Sequence, residues 1–172
     1  ERFDLARAWG VVSRPPVAFS VVVAATFGFT FQSLASFLPT FLVQHRGLSE
    51  PSAGVALGAV FALSALAQPV VGRLSDAVGR DAALAASALV TGAAVASLVA
   101  GAPPMLGILV LGVGVSWPGV VQARFMDHLP EADRGTAFGA VRTVYMFLSA
   151  AGSAVTGAVA DAAGWPAAFG LI

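Results

Sequence analysis

The polar side chains of this sequence that are candidates for chemistry lie inside long apolar segments, not in a catalytic cluster. Gln32 and Ser36 are four residues apart, which places them on one face of a helix. Gln122 follows a Trp-Pro-Gly turn, and Arg142 lies within a later apolar segment. Amide, hydroxyl and guanidinium groups bind polar ligands by hydrogen bonds, and no nucleophile is paired with a base. These residues therefore predict recognition of a solute and no enzyme activity.

Polar groups inside an apolar span are costly and tend to face a cavity or a partner. Contact with a substrate and a hydrogen bond to a neighbouring helix are both open for Gln32. Pro118 and Gly119 bend the fourth apolar segment, which suits either a gate beside a pathway or a packing kink. The candidates for a solute pathway are Thr30, Gln32, Ser36, Ser116, Trp117, Gln122, Arg142 and Tyr145.

Arg142 lies two helical turns inside its segment, roughly 10 Å along the axis. Three roles are open: extension of the side chain to the interface, an ion pair with an acid such as Asp76 or Asp127, or binding of an anionic substrate. The shallow depth favours the first two. Tyr145 is one turn further along the same face and shares these alternatives.

No metal site and no cofactor are predicted. His45 and His128 are far apart at segment ends, neither has a ligand cluster, and the chain has no Cys. No acid occurs in the middle of an apolar segment, so this chain provides no evident proton carrier. The formal net charge is zero, which argues against nucleic acid as a partner.

Composition indicates which elements must position these residues. The 172 residues are 58% hydrophobic and 10% charged, whereas a soluble domain carries about 25% charged residues. A soluble fold would lack the polar surface to cover itself, so lipid is the predicted surroundings. Long runs rich in Ala, Leu and Gly favour helices over the short alternating strands of a membrane barrel.

Six apolar helices are predicted in an all-α, polytopic transmembrane bundle. Residues 1–14 form either an interfacial helix or an unstructured leader, and 15–172 form the membrane part. No initiator Met is present, so we expect the chain to begin inside a longer protein. The predicted spans are about 17–43, 53–71, 82–100, 105–121, 136–160 and a truncated 166–172.

The arginines predict the orientation of these spans. With a cytoplasmic N-terminus, Arg46 is the only arginine on the outer side, and Arg142 lies within a span. The other seven all fall on the cytoplasmic side: Arg2, Arg7, Arg14, Arg73, Arg80, Arg124 and Arg134. This asymmetry follows the positive-inside rule, and the predicted location is therefore a plasma or inner membrane.

The most informative motif is the ten-residue stretch 72–81, GRLSDAVGRD, between the second and third predicted spans. Its first nine positions resemble the loop signature G-x-L-[AS]-D-x-x-G-[RK]-[RK] of the major facilitator superfamily. Asp81 departs from that signature, because the family prefers a base there. The resemblance implies a cytoplasmic loop between two helices. The motif residues predicted to act as a gate are Gly72, Arg73, Asp76, Gly79 and Arg80.

The motif also has a direct physical interpretation. Gly72 would let a neighbouring helix pack closely, and Gly79 permits a left-handed turn. Asp76 is predicted to accept backbone N–H bonds or to pair with Arg73 or Arg80. A closed set of such bonds would hold the cytoplasmic helix ends together. The alternative is a soluble turn that matters only for insertion.

An internal repeat supports the same family. A shift of 85 residues aligns the second span with the fifth without a gap, and Asp76 and Gly79 meet Asp161 and Gly164. The copies lie three spans apart and hence on opposite membrane sides, which predicts two inverted three-helix repeats. Glycine pairs four apart, as at Gly54, predict close helix packing.

The resemblance extends over nearly the whole chain. Residues 129–137 look like the family's loop before helix 11, and 161–165 look like its turn into helix 12. It implies the C-terminal six-helix half of a secondary transporter of a small organic solute that works by alternating access. The implied partners are the solute, the bilayer and the missing N-terminal half. The alternative function is a non-transporting membrane receptor or scaffold on the same fold.

Overall fold

The protein is all-helical in a computed structural model that describes residues 10, 13–129, 131 and 134–172. The predicted leader lies largely outside these residues, and so does part of the stretch 129–137. The helices are α1 (Pro15–Gln44), α2 (Glu50–Val78), α3 (Arg80–Val99), α4 (Pro104–Gly114), α5 (Pro118–His128), α6 (Arg134–Ala163) and α7 (Trp165–Leu171).

Five segments of the described chain are long and apolar enough to cross a membrane. Four of them are the single helices α1, α2, α3 and α6. The fifth runs from Pro104 to His128 and consists of α4 and α5, separated by a short break at residues 115–117. Pro118 explains the break, because it has no N–H to continue the backbone ladder and its ring clashes with the preceding turn.

The helices extend further than the predicted spans. At the motif, α2 continues as helix through Val78, and only Gly79 separates it from α3. The prediction of a loop over residues 72–81 was therefore wrong. Between Gly72 and Gly79 the chain contains no glycine or proline to end the helix. The polar residues of the motif thus project from a continuous helix.

The two inverted repeats are present in the structure. The end of α2 and the end of α6 are 85 residues apart, and α3 and α7 begin at Arg80 and Trp165, again 85 apart. Gly79 has φ 95° and ψ 149°, and Gly164 has φ 82° and ψ 170°. Only glycine adopts this region readily. The bundle end with Gly79 is called the motif end below, and the end with Gly164 the opposite end.

Close packing joins the two repeats through other glycines than those predicted. A Cβ on Gly152 of α6 would overlap the carbonyl oxygen of Phe29 in α1, and one on Gly112 of α4 would lie 2.6 Å from Cβ of Leu63 in α2. By contrast, a Cβ on Gly54 or Gly72 meets no atom within 4 Å. The predictions of close packing at those two glycines are therefore wrong within the described chain.

Buried hydroxyl groups reinforce these contacts between repeats. Thr156 Oγ1 in α6 donates to Ser33 Oγ in α1 at 2.8 Å, and both residues are fully buried. Ser64 Oγ in α2 donates to the carbonyl of Val115 in the break at 3.1 Å. That carbonyl lies where the helix ladder is interrupted, so the hydroxyl supplies a partner that lipid cannot.

Candidate functional site

Arg80 connects three helices at the motif end. Its guanidinium pairs with Asp76 of α2, donates from Nη1 to Ser75 Oγ at 2.7 Å, and donates from Nε to Asp127 of α5 at 3.3 Å. Ser75 Oγ in turn donates to the carbonyl of Gly72 at 2.8 Å. The planar guanidinium suits such a branched arrangement, because its donors have fixed directions. Arg80 therefore ties the end of α5 to the junction of α2 and α3.

A second ion pair of reversed polarity lies beside the first. Asp81 of α3 is 3.3 Å from Nη2 of Arg124 in α5. The Arg124 side chain is only 8% exposed and also lies over the ring of Phe19, 5.2 Å from its centroid. Asp81 is the residue that departs from the family signature. The departure is explained locally, because a base at position 81 would face the buried Arg124.

The five residues Asp76, Arg80, Asp81, Arg124 and Asp127 are called the motif-end cluster. Of the predicted gate residues, it includes Asp76 and Arg80, whereas Gly79 supplies the turn that positions them. Arg73 is exposed, and no described acid lies within ion-pair distance of it. Gly72 contributes only its carbonyl.

The break between α4 and α5 is buried and lined by aromatic rings. Trp117 is 8% exposed, and its ring centroid lies 5.1 Å from that of Phe27 and 6.4 Å from that of Phe31, both in α1. Ser116 is buried, and its Oγ donates to the carbonyl of Val113 at 2.6 Å. The span thus divides into α4, which packs closely against α2 and α3 at its glycines, and α5, whose far end is paired in the motif-end cluster.

The family model of the Major Facilitator Superfamily matches residues 21–172, which is most of the chain. The chain belongs to the major facilitator superfamily. It is therefore a membrane protein of a transporter family, and the five apolar segments are its membrane spans. No curated protein and no solved structure matches it significantly.

Two of the pathway candidates of this superfamily member line one small cavity. Thr30 and Trp117, together with Thr91 of α3, border a space of about 130 Å³ between α1, α3 and the break. Thr30 Oγ1 donates to the carbonyl of Ile172 at 3.2 Å. The Oγ1 of Thr91 is buried without a hydrogen-bond partner among the described residues.

Most other pathway candidates lie on the surface of the described bundle. Gln32, Ser36, Gln122 and Arg142 are exposed. The two acids considered as partners of Arg142, Asp76 and Asp127, pair with Arg80 instead. Tyr145 is half-buried and stacks on Phe125 of α5 at 5.9 Å, with 10° between the ring planes. The candidates therefore divide into an inward set and an exposed set.

Sequence reasoning did not identify Arg124 and Asp81 as partners, and it considered Asp127 only for Arg142. A local indication was available, because Asp81 stands where the family has a base and such an exchange calls for a base nearby. Arg124 and Asp127 are three residues apart, hence on one helix face. Which of the arginines would face Asp81 depends on the packing of α5 against α3, which no local pattern encodes.

No described residues form a cluster of three or more His, Cys, Asp or Glu side chains able to hold a metal ion. His128 is engaged with the backbone, since its Nδ1 is 2.8 Å from the carbonyl oxygen of Arg124. The site is consequently one of ion pairs, aromatic rings and uncharged polar groups. Such groups can bind and position a polar ligand by hydrogen bonds and ring contacts.

Proposed function

We propose that this protein is one half of a secondary transporter that moves a small organic solute by alternating access. The solute binds near the middle of the membrane, between this six-helix half and an N-terminal half outside the chain. The first span of each repeat, α1 and α4–α5, lines the pathway. The motif end faces the cytoplasm, and the membrane is the plasma or inner membrane.

The observation that carries this proposal is the divided span α4–α5. A helix break in the middle of a span is tolerated where it serves a cavity or a movement, because freed backbone groups must find other partners. Here Ser64 provides one such partner. The α5 segment, Pro118–His128, is short enough to pivot about the break as one piece.

The motif-end cluster holds α5 in the closed position. Arg124 and Asp127 belong to α5, whereas Asp81 and Arg80 belong to α3. Opening at the cytoplasmic side separates these two ion pairs. The pairs are partly exposed, with Asp81 72% and Asp127 52% accessible, so water can take over their charges when they separate. This exchange keeps the closed and open states close in free energy.

The exposed polar residues Gln32, Ser36 and Gln122 are the proposed solute contacts. They carry no charge and are accessible on the surface of this half. A wall of amide and hydroxyl groups, with Arg142 as the exposed cation in α6, suits a neutral or weakly anionic molecule. Thr30, Ser116 and Trp117 are engaged inside the half and position the break.

The test is solute uptake by the full-length protein in liposomes. A panel of neutral, anionic and cationic organic compounds is offered, with and without a proton gradient. We expect saturable uptake of a neutral or weakly anionic compound, and we expect Gln32→Ala to raise its KM. Ser153→Ala is the matched control, because this hydroxyl bonds only within α6, to the carbonyl of Ala150 at 3.3 Å.

Orientation is tested separately with an impermeant thiol reagent. Single cysteines replace the exposed residues Ala77 at the motif end and Ala162 at the opposite end. We expect labelling of position 162 from outside intact cells, and of position 77 only after the membrane is opened. Labelling of both positions from the same side contradicts the proposed topology.

The uptake assay also separates the two candidate functions. Binding of a panel compound without flux of any panel member contradicts the transporter and favours a receptor.

A further inference from the structure

A second contact closes the bundle at the opposite end. Trp165, the first residue of α7, donates from Nε1 to Oε1 of Gln44, the last residue of α1, at 2.8 Å. Its ring lies 5.9 Å from that of Phe37 in α1. One turn further along α7, Phe169 stacks on Phe41 at 4.0 Å. Gln44, Trp165 and these three phenylalanines are called the Trp165 cluster.

The Trp165 cluster occupies the place that the motif-end cluster occupies in the other repeat. Arg80 and Trp165 each follow a glycine with positive φ, and they are 85 residues apart. Each is the first residue after the second span of its repeat, at the start of α3 and of α7. Each also binds the far end of the first span of the other repeat, Arg80 at Asp127 and Trp165 at Gln44. The two clusters are thus related by the internal repeat, although their chemistry differs.

Both helix ends that are held in this way lie beyond a proline. The end of α5 follows the break at Pro118, and the end of α1 follows Pro39 inside the helix. Pro39 removes the backbone bond to the carbonyl of residue 35 and weakens the helix at that turn. Pro39 therefore leaves the last turn of α1 less restrained by its own backbone bonds, and the Trp165 cluster attaches that turn to α7.

The residues after α1 are attached as well. Arg46 donates from Nη2 to the carbonyl of Ala102 at 2.7 Å and from Nη1 to the carbonyl of Leu98. These carbonyls belong to the end of α3 and the loop after it, where backbone acceptors lack helical donors. Arg46 therefore joins the chain just past the last turn of α1 to the end of α3, so that these two helix ends of the first repeat move together.

We propose that Gln44 and Trp165 are positioning residues that hold the end of α1 closed at the opposite end, in competition with the motif-end cluster. This inference rests on the proposed alternating access, in which one end opens while the other is closed. Loss of one cluster then shifts the population towards opening at that end. Loss of both returns the balance towards its starting value, because the two changes bias one equilibrium in opposite directions.

The experiment measures helix-end distances in the full-length protein by pairs of spin labels. One pair at the exposed residues His45 and Ala162 reports on the opposite end, and a pair at the exposed residues Ala77 and His128 reports on the motif end. The variants are Gln44→Ala, which removes the acceptor, and Trp165→Phe, which keeps an aromatic ring and removes the N–H donor. Ser97→Ala is the control at the same end, since its hydroxyl bonds locally to the carbonyl of Ala94.

We expect both variants to increase the fraction of molecules with a widened opposite end by about fivefold, the equivalent of about 1 kcal/mol. The motif-end pair shows fewer widened molecules in the same samples. Arg80→Ala shifts both pairs the other way, and Gln44→Ala combined with Arg80→Ala lies between the two. Ser97→Ala resembles the parent protein.

Unchanged distance distributions in Gln44→Ala and Trp165→Phe, together with a shift in Arg80→Ala, overturn this inference and leave the proposed function standing. A lower melting temperature with an unchanged ratio of the two states also overturns it, because that is the result of a merely structural contact. Failure of the proposed function has a different signature, namely no flux of any solute in the parent protein.

Discussion

The two ends of this half-bundle have the same backbone design and opposite chemistry. At the motif end, the helix junction at Gly79 leads into Arg80, which pairs with two carboxylates. At the opposite end, the junction at Gly164 leads into Trp165, which donates one hydrogen bond to an amide and packs against phenylalanine rings. Glycine at the junction is required by the backbone and is common to both ends. The residue after each glycine is not restricted in this way, and it is Arg80 at one end and Trp165 at the other.

This difference indicates that one backbone junction can support two chemically distinct contacts between helix ends. Ion pairs are screened by salt and can exchange partners with water. An indole N–H bonded to an amide, surrounded by rings, responds to neither salt nor moderate pH. The ion pairs at the motif end are therefore predicted to weaken as the salt concentration rises. The hydrogen bond between Trp165 and Gln44 at the opposite end is predicted to be insensitive to salt.

The largest expected effect comes from disturbing the close packing of α6 against α1, which both ends of the bundle share. Gly152→Ala places a methyl group against the carbonyl of Phe29, which is backbone and cannot move aside. We expect a loss of about 2 kcal/mol of stability from overpacking, seen as a lower melting temperature of the full-length protein in detergent. Both ends should loosen equally in the spin-label measurement.

The control for this variant is Gly139→Ala in the same helix, where an added Cβ meets no atom within 4 Å. It should leave the melting temperature unchanged or slightly raised, because Ala favours helix over Gly. Equal destabilisation by Gly139→Ala and Gly152→Ala would show that the contact with Phe29 is not what matters.

The next effect compares the two junctions directly. Gly79→Ala and Gly164→Ala force a Cβ into positive φ, of 95° and 82°, at a cost of about 1–2 kcal/mol each. We expect similar decreases in melting temperature for the two, since the backbones match. Gly72→Ala is the control, because it lies within α2 and its added Cβ meets no atom within 4 Å. Clearly unequal decreases in melting temperature for Gly79→Ala and Gly164→Ala would contradict the claim that the two junctions have matching backbones.

A smaller effect separates the two arginines of the motif. Arg80→Ala removes the bonds to Ser75, Asp76 and Asp127, with an expected loss of about 1 kcal/mol in the closed motif end. That corresponds to about a fivefold change in the ratio of closed to open molecules. Arg73→Ala should have no effect on labelling at the motif end, because Arg73 is exposed and no described acid pairs with it.

The smallest effect compares closure by ion pairs at the motif end with closure by uncharged groups at the opposite end. It requires no mutation. Raising the salt concentration from about 0.1 M to about 1 M shortens the screening length from about 10 Å to about 3 Å. We expect up to a twofold rise in molecules with an open motif end, and no rise in those with an open opposite end, by the same spin-label pairs. An equal response at both ends contradicts the assignment of closure by ion pairs to the motif end alone.

The fold was largely predictable because lipid imposes simple rules on length and composition. The five spans and the inverted repeat follow from apolar runs and from the spacing of Gly79 and Gly164. The helical state of the motif was missed, because Asp76 and Ser75 resemble loop residues in composition. In the structure their side chains are satisfied by Arg80, so the helix needs no loop to accommodate them.

The candidate site was only partly predictable. The pairing of Asp76 with Arg80 is local, because the two residues are four apart across the turn at Gly79, and it is one of the two pairings predicted. The pairing of Asp81 with Arg124 joins distant segments and depends on how α5 packs against α3. The close glycine contacts at Gly152 and Gly112 were missed for the same reason, because spacing along one helix does not reveal which face meets a neighbour.

The hydrogen bond from Ser64 to Val115 also bears on the order of biogenesis. The interrupted carbonyl is synthesised after its donor, so Ser64 already resides in the bilayer when the broken helix arrives. The bond from Thr156 to Ser33 runs in the reverse sense, from a late helix to an early one. Each repeat therefore completes a buried hydrogen bond only with the other repeat, and we expect the two to finish packing together once α6 has been synthesised.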